Sequence, residues 1–255
     1  AMQDMVSTFY GSQENFPAIL GDEYPQSAFV ALAPDGKILA LAGGIGEKNN
    51  ARQFNRATQA KRQTGSAIKP LAAYLTAIEN DMVTWSTLMD DHPITIRQNG
   101  ADMSWPVNFQ GNYQGMMTIE RALKESRNTI AVKLVQEAGP ERVFQFLHDR
   151  LGFTSLVPRK EGQARDDVNL SAMALGGMTY GVTPLELAGG YQIYANGGYF
   201  TAPYCYTKVL DSRGYILLQA DTTARRVIAP ETATIINRLM QQVTLPGGTG
   251  NGARW

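Results

Sequence analysis

The chain has 255 residues, 44% of them hydrophobic, and its 23 basic residues cancel 23 acidic ones. Such a composition belongs to a folded chain and excludes a disordered one, and the neutral balance gives no reason to expect nucleic acid or an anionic lipid surface as a partner. The single cysteine, Cys205, excludes an intrachain disulfide and a cysteine-rich metal site.

In chain order, the start AMQDMVSTFYGSQ lacks a basic segment followed by an apolar stretch, so it is not a signal peptide. No run approaches the roughly 18 apolar residues of a membrane span. AFVALAPDGKILALAGG (Ala28–Gly44) predicts two strands joined by a turn at Pro34-Asp35-Gly36. GSAIKPLAAYLTAIEND then carries apolar residues at helical spacing and stops at Asn80-Asp81. Residues 90–117 are rich in Asn, Gly, Pro and aromatics and predict short strands and loops, with Trp105, Asn108 and Tyr113 as candidates to line a cleft.

TIERALKE and NTIAVKLVQEAG predict two helices with Ser126-Arg127 near their joint, and ERVFQFLHDRLGF predicts a third after Pro140. Residues 155–168 are polar and loop-like. TPLELAGGYQIYANGG resumes a helix that closes on glycines, YCYTKVLDSRGYILLQAD is a second hairpin turning near Ser212–Gly214, and PETATIINRLMQQV is a last helix opened by Pro230 and Glu231. Strand pair, helices, strand pair and helix predict one α/β domain of the α+β type, an antiparallel sheet flanked by helices.

The stretch RQTGSAIKP holds the first candidate for chemistry. Residues three apart share a helix face, so Ser66 and Lys69 point the same way. Gly65 allows a sharp entry, and Pro70 is tolerated in a first helical turn. Desolvation and a helix's positive end favour a neutral lysine, which could take the Ser66 proton as a base for acyl transfer. In the second candidate, Ser126-Arg127-Asn128, Ser126 would relay a proton and Asn128 would hold a substrate amide. The Ser66 N–H would supply half of an oxyanion hole. The plain alternative makes Ser66 a helix cap and Lys69 a solvated charge.

Ser-x-x-Lys followed by Ser-x-Asn resembles the opening pair of the three-part signature of penicillin-binding proteins and serine β-lactamases. PQSAFVALAPDGKILALAGG, FNRATQAKRQTGSAIKP, ALGGMTYGVTPLELAGGYQIYANGGYF and GGTG all resemble segments of the transpeptidase domain of class A penicillin-binding proteins, over roughly residues 25–250. The resemblance implies the penicillin-binding-protein/β-lactamase-like fold and a D,D-transpeptidase that cross-links peptidoglycan. Its catalytic residues would be Ser66, Lys69 and Ser126, with Asn128, Trp105 and Asn108 binding substrate. Its partners would be D-Ala-D-Ala stem peptides and β-lactams. No metal or organic cofactor is implied.

The implied place is the extracytoplasmic face of a bacterial membrane, reached through a segment outside this chain. Residues 1–27 would be an approach segment, helical over MQDMVSTFY, and 28–255 the transpeptidase domain. Two departures stand out. Arg127 replaces the aspartate of many β-lactamases, and no Lys-Thr-Gly or Lys-Ser-Gly triplet follows GGTG. The domain is therefore expected to lack its C-terminal strands, the cation they carry and, as it stands, full activity, unless another chain supplies them.

The rival enzyme is a serine β-lactamase, which needs a carboxylate to activate water. RKEGQARDDVNL offers Glu161, Asp166 and Asp167 for it without the family pattern. The rival from another class is a non-catalytic β-lactam sensor or wall-binding module. The glycine-rich GGIGEKNN and GGTGNG do not open helices after strands, so they do not read as phosphate cradles. His92 and His148 lack partners at metal-ligand spacing, and Cys205 reads as strand packing.

Overall fold

The computed structural model describes residues 26–46, 51–98 and 100–253. The expected approach segment up to residue 25 and the end of GGIGEKNN lie outside the described residues. Strands β1 (Phe29–Leu32) and β2 (Ile38–Ala42) pair antiparallel through the expected turn, with Phe29 opposite Ala42. Gly36 in that turn has φ 86°, and a Cβ on it would come within 2.9 Å of the Thr201 carbonyl. Only glycine lets the turn close against the body.

Residues 65–79 are helical as expected, but not as one regular helix. A 3-10 turn (Gly65–Ile68) and a π turn (Pro70–Tyr74) precede α1 (Leu75–Glu79). Pro70 is the reason. It donates no hydrogen bond, and its ring crowds the carbonyl four residues back, that of Ser66. The backbone tightens before it and widens after it. The Lys69 N–H therefore meets the Ser66 carbonyl at 3.1 Å, and the Tyr74 N–H meets the Lys69 carbonyl at 3.1 Å. The helix ends at Asn80-Asp81, where Asp81 takes φ 54°.

Next come β3 (Leu88–Asp91), β4 (Ile94–Gln98), β5 (Ala101–Trp105) and β6 (Gly115–Thr118), with β3 paired to β6 and β4 to β5. The Thr118 hydroxyl caps α2 (Ile119–Lys124) by accepting from the Arg121 N–H at 3.2 Å. Helix α3 (Asn128–Ala138) follows, then α4 (Pro140–Gln145) with its π-turn continuation (Phe146–Arg150). The loop after it leads to α5 (Leu170–Leu175), a helix the sequence pattern did not single out.

Helix α6 (Pro184–Ala195) opens with a reciprocal cap between Thr183 and Glu186. Strand β7 (Tyr199–Phe200), the hairpin β8 (Lys208–Leu210) and β9 (Ile216–Gln219), β10 (Arg225–Arg226) and α7 (Pro230–Val243) complete the order, before a short 3-10 turn at Asn251–Ala253. Where one sheet was expected, the described residues form five two-stranded antiparallel ribbons flanked by helices. No helix among them is long and apolar enough to cross a membrane.

Helix α3 lies at the centre. Thr129, Ile130, Ala131, Val132, Leu134, Val135 and Ala138 are buried, so it is covered on nearly every side. It packs against the π turn, α1, α4, α5 and β3. The π turn and α1 pack on it from a stretch buried continuously from Ile68 to Ile78. Each large apolar side chain there contributes about 1.5–3 kcal/mol by leaving water. That contact fixes the start of α3 against Lys69. The β8–β9 ribbon is the opposite case, with every residue of both strands exposed. Cys205 beside it is exposed and outside any strand, a correction to its expected packing role.

Candidate active site

Ser66 sits in the 3-10 turn, exposed, one turn before a lysine that is 1% exposed. The Lys69 side chain turns inward to the start of α3. Its Nζ donates to the Ser126 carbonyl at 2.7 Å, to Ser126 Oγ at 3.2 Å and to Asn128 Oδ1 at 2.6 Å. Three donors meet three acceptors, the full capacity of an ammonium. Burial pulls the Lys69 pKa down from 10.5 to about 8. Loss of one proton near that pH leaves the amine a lone pair beside Ser126. Among the described residues Ser66 Oγ has no hydrogen-bond partner. The direct Ser66–Lys69 side-chain bond foreseen from the spacing is thus not formed, because the amine is fully engaged with the corner at Ser126.

Two tyrosines hold the nucleophile stretch open. The 3-10 and π geometry shifts the backbone bonds of a regular helix, and the Pro70 carbonyl, which accepts from the Leu75 N–H, has a second lone pair to give. Tyr191 on α6 donates to the Ala67 carbonyl at 2.7 Å, and Tyr194 donates to that of Pro70 at 2.8 Å. Burial pushes both phenols up, so they remain donors. The segment before Ser66 is clamped from the other side. Arg62 and Val182 exchange backbone hydrogen bonds of 3.0 Å, and Gln63 Nε2 donates to the Met178 carbonyl at 3.0 Å. Gly176 (φ 72°) has no room for a Cβ, which would overlap Thr64 Oγ1.

The corner itself rests on buried charge. Ser126 takes φ 54°, a left-handed conformation unusual for serine. Arg127, 1% exposed, donates from Nε at 3.0 Å and Nη2 at 2.5 Å to Glu125 Oε2, from Nη1 at 3.1 Å to Asn112 Oδ1, and pairs with Asp91 at 3.3 Å. Burial acts to raise the Glu125 pKa, but hydrogen bonds from Arg127 and Arg121 outweigh it and hold the carboxyl below its usual value. Asp91, wholly buried at the end of β3, also accepts from Asn108, Thr129 and the Gln114 N–H.

Asn108 was expected to touch substrate. It is instead 3% exposed and spends both ends of its amide inside the protein, donating to Asp91 Oδ1 at 2.7 Å and accepting from the Asn128 N–H at 2.8 Å. Trp105 is half-buried against the core at the end of β5. Sequence reading missed Asp91, and it noted Arg127 only as a departure from the aspartate of many β-lactamases. It assigned no role to Tyr191 or Tyr194. The GGTG run lies close by, with the Thr249 N–H donating to the Lys124 carbonyl at 3.2 Å, two residues before Ser126.

A sequence profile of the penicillin binding protein transpeptidase domain matches residues 27–255. The chain belongs to that family. Penicillin-binding protein 1A of Neisseria lactamica is 37% identical over 92% of this chain, and that of Clostridium botulinum (strain Langeland) is 32% identical over 91%. The chain spans 28% of the length of each of these relatives. The crystal structure of penicillin-binding protein 1A from Haemophilus influenzae aligns with a TM-score of 0.70 and 31% identity, over 89% of this chain and 37% of that one. Penicillin binding protein 3 from Mycobacterium tuberculosis aligns over all of this chain and 60% of its own, with a TM-score of 0.71 at 21% identity, a likeness of fold alone. The penicillin-binding transpeptidase fold agrees with the class A domain expected from the motifs.

Proposed function

We propose that this domain carries out serine acyl transfer on D-Ala-D-Ala stem peptides, cross-linking peptidoglycan on the extracytoplasmic side of the membrane. The observation that carries this reading is the buried Lys69 amine bridging the nucleophile turn and the Ser126–Asn128 corner. In the neutral form Lys69 accepts the Ser66 proton as Oγ attacks the penultimate alanine carbonyl. The negative charge that develops on the carbonyl oxygen is met by the Ser66 N–H. The proton then passes through Ser126 Oγ to the departing amine, the peptide bond breaks, and D-alanine leaves. Attack by an amine from a second strand forms the cross-link and returns the proton to the site.

Asn128 holds the substrate amide, Trp105 lines the cleft wall, and Asn108 positions Asn128. A β-lactam acylates Ser66 by the same first step. The β-lactamase rival draws no support from the loop after α4. Asp167 there is buried and accepts from the Val157 N–H at 2.8 Å and the Thr179 N–H at 2.6 Å, and Asp166 pairs with Arg159 at 3.3 Å. Incubation of the complete polypeptide with a fluorescent penicillin tests the reading. A long-lived adduct on Ser66 with stem-peptide cross-linking is expected. Rapid loss of label would mark a β-lactamase, a stable adduct without cross-linking would mark a sensor, and undiminished labelling of Ser66→Ala would overturn all three.

A further inference from the structure

Asp91 lies too deep to meet substrate, yet everything that touches its carboxylate is a donor. Asn108 Nδ2 reaches Oδ1 at 2.7 Å, the Thr129 hydroxyl reaches the same oxygen, the Gln114 N–H reaches Oδ2 at 3.0 Å and Arg127 lies at 3.3 Å. We propose that Asp91 is a positioning residue that anchors a hydrogen-bond chain through Asn108 and Asn128, so that Lys69 is offered an oxygen. The inference rests on the roles proposed above for Lys69 and Asn128.

The logic follows from what each group can do. An ionised carboxylate only accepts, so Asn108 must turn its NH2 toward it. The second N–H of that group is taken by the Asn112 carbonyl at 3.0 Å. Asn108 Oδ1 is then left facing the start of α3, where it accepts from the Asn128 N–H at 2.8 Å. This anchors the loop containing Val107, whose carbonyl accepts from Asn128 Nδ2 at 2.7 Å. With its NH2 occupied, Asn128 has only Oδ1 to give Lys69, at 2.6 Å.

An asparagine at position 91 could donate as well as accept. Its NH2 would meet a donor whichever way it turned, Asn108 Nδ2 on one side or the Gln114 N–H on the other, so the anchor would break or shift while the Asn112 carbonyl and the Asn128 N–H still fix which way Asn108 faces. A simpler role for Asp91, as the counter-ion of Arg127, fits less well. Arg127 already has Glu125 at 2.5 Å, and 3.3 Å to Arg127 is the longest contact Asp91 makes.

The test is Asp91→Asn in the complete polypeptide, with acylation of Ser66 by a fluorescent penicillin resolved into an initial binding constant and a first-order acylation constant. The first-order constant should fall about tenfold or more while binding stays within about twofold, because a misplaced proton acceptor affects the chemical step. In an Asn128→Ala background, Asp91→Asn should cause no further loss in rate, although it still lowers the melting temperature. Should Asp91→Asn fail to fold, Asn108→Ser breaks the same chain while sparing the Asp91–Arg127 pair, and the same loss is expected. Wild-type acylation rates in either variant, or losses that multiply in the double variant, would overturn the inference while leaving the function standing. A wild-type chain that takes no label at Ser66 would remove both.

Discussion

The stretch that carries Ser66 and the corner that carries Ser126 meet at one amine, yet different forces secure them. The first is held by packed apolar side chains and by neutral hydroxyls, those of Tyr191 and Tyr194, on backbone carbonyls. The second is held by a wholly buried carboxylate, a buried guanidinium and a half-buried Glu125. Neutral bonds can be lost one at a time at modest cost. A buried charge network is stable only while every member is satisfied, and removal of one strands the rest. The nucleophile turn should therefore degrade gradually, and the corner should fail abruptly.

Arg127→Ala is the hardest blow to that contrast. It leaves the Asp91 and Glu125 carboxylates without their guanidinium, and a loss of about 3–5 kcal/mol is expected. Urea unfolding measures it, and a loss below about 1 kcal/mol would show that the corner does not depend on charge.

A smaller effect concerns the amine between the two regions. The base must be neutral, and burial places the Lys69 pKa at about 8, so acylation should fall about tenfold for each pH unit below that value and level off above it. Stability has its own sign. The unfolded lysine keeps its proton up to about 10.5, so between about 8 and 10.5 the unfolded chain binds more protons and folding gains as pH rises. An acylation rate that is flat from pH 6 to 9 would remove Lys69 as the base.

Tyr194→Phe sharpens the comparison at its mild end. The Pro70 carbonyl still accepts from the Leu75 N–H, so about 1 kcal/mol of stability should be lost, with acylation reduced less than the corner variant reduces it. A loss as large as that of Arg127→Ala would erase the distinction between the two supports.

Much of the scaffold was legible because its signals are local. Pro34-Asp35-Gly36 marks a turn, Thr183-Pro184 with Glu186 marks a helix start, and Pro230 marks another. The Ser-x-x-Lys and Ser-x-Asn pairs were readable for the same reason, each lying within four residues. What surrounds them was not. Asp91 and Thr129 are 38 residues apart, and Ala67 and Tyr191 are 124 apart, so only tertiary packing brings them together. Asn108 was misjudged because a polar residue in an aromatic loop suggests a cleft, whereas its amide is consumed by Asp91 and Asn128. The two-residue ribbon of β7 and β10 is too short to leave a periodic pattern.

Ser126, with its φ of 54°, bends in a way that glycine would tolerate with less strain. Replacing it by glycine would relax the backbone and at the same stroke delete the hydroxyl proposed to pass the proton. Selection for thermal endurance and selection for turnover would thus pull this one position in opposite directions.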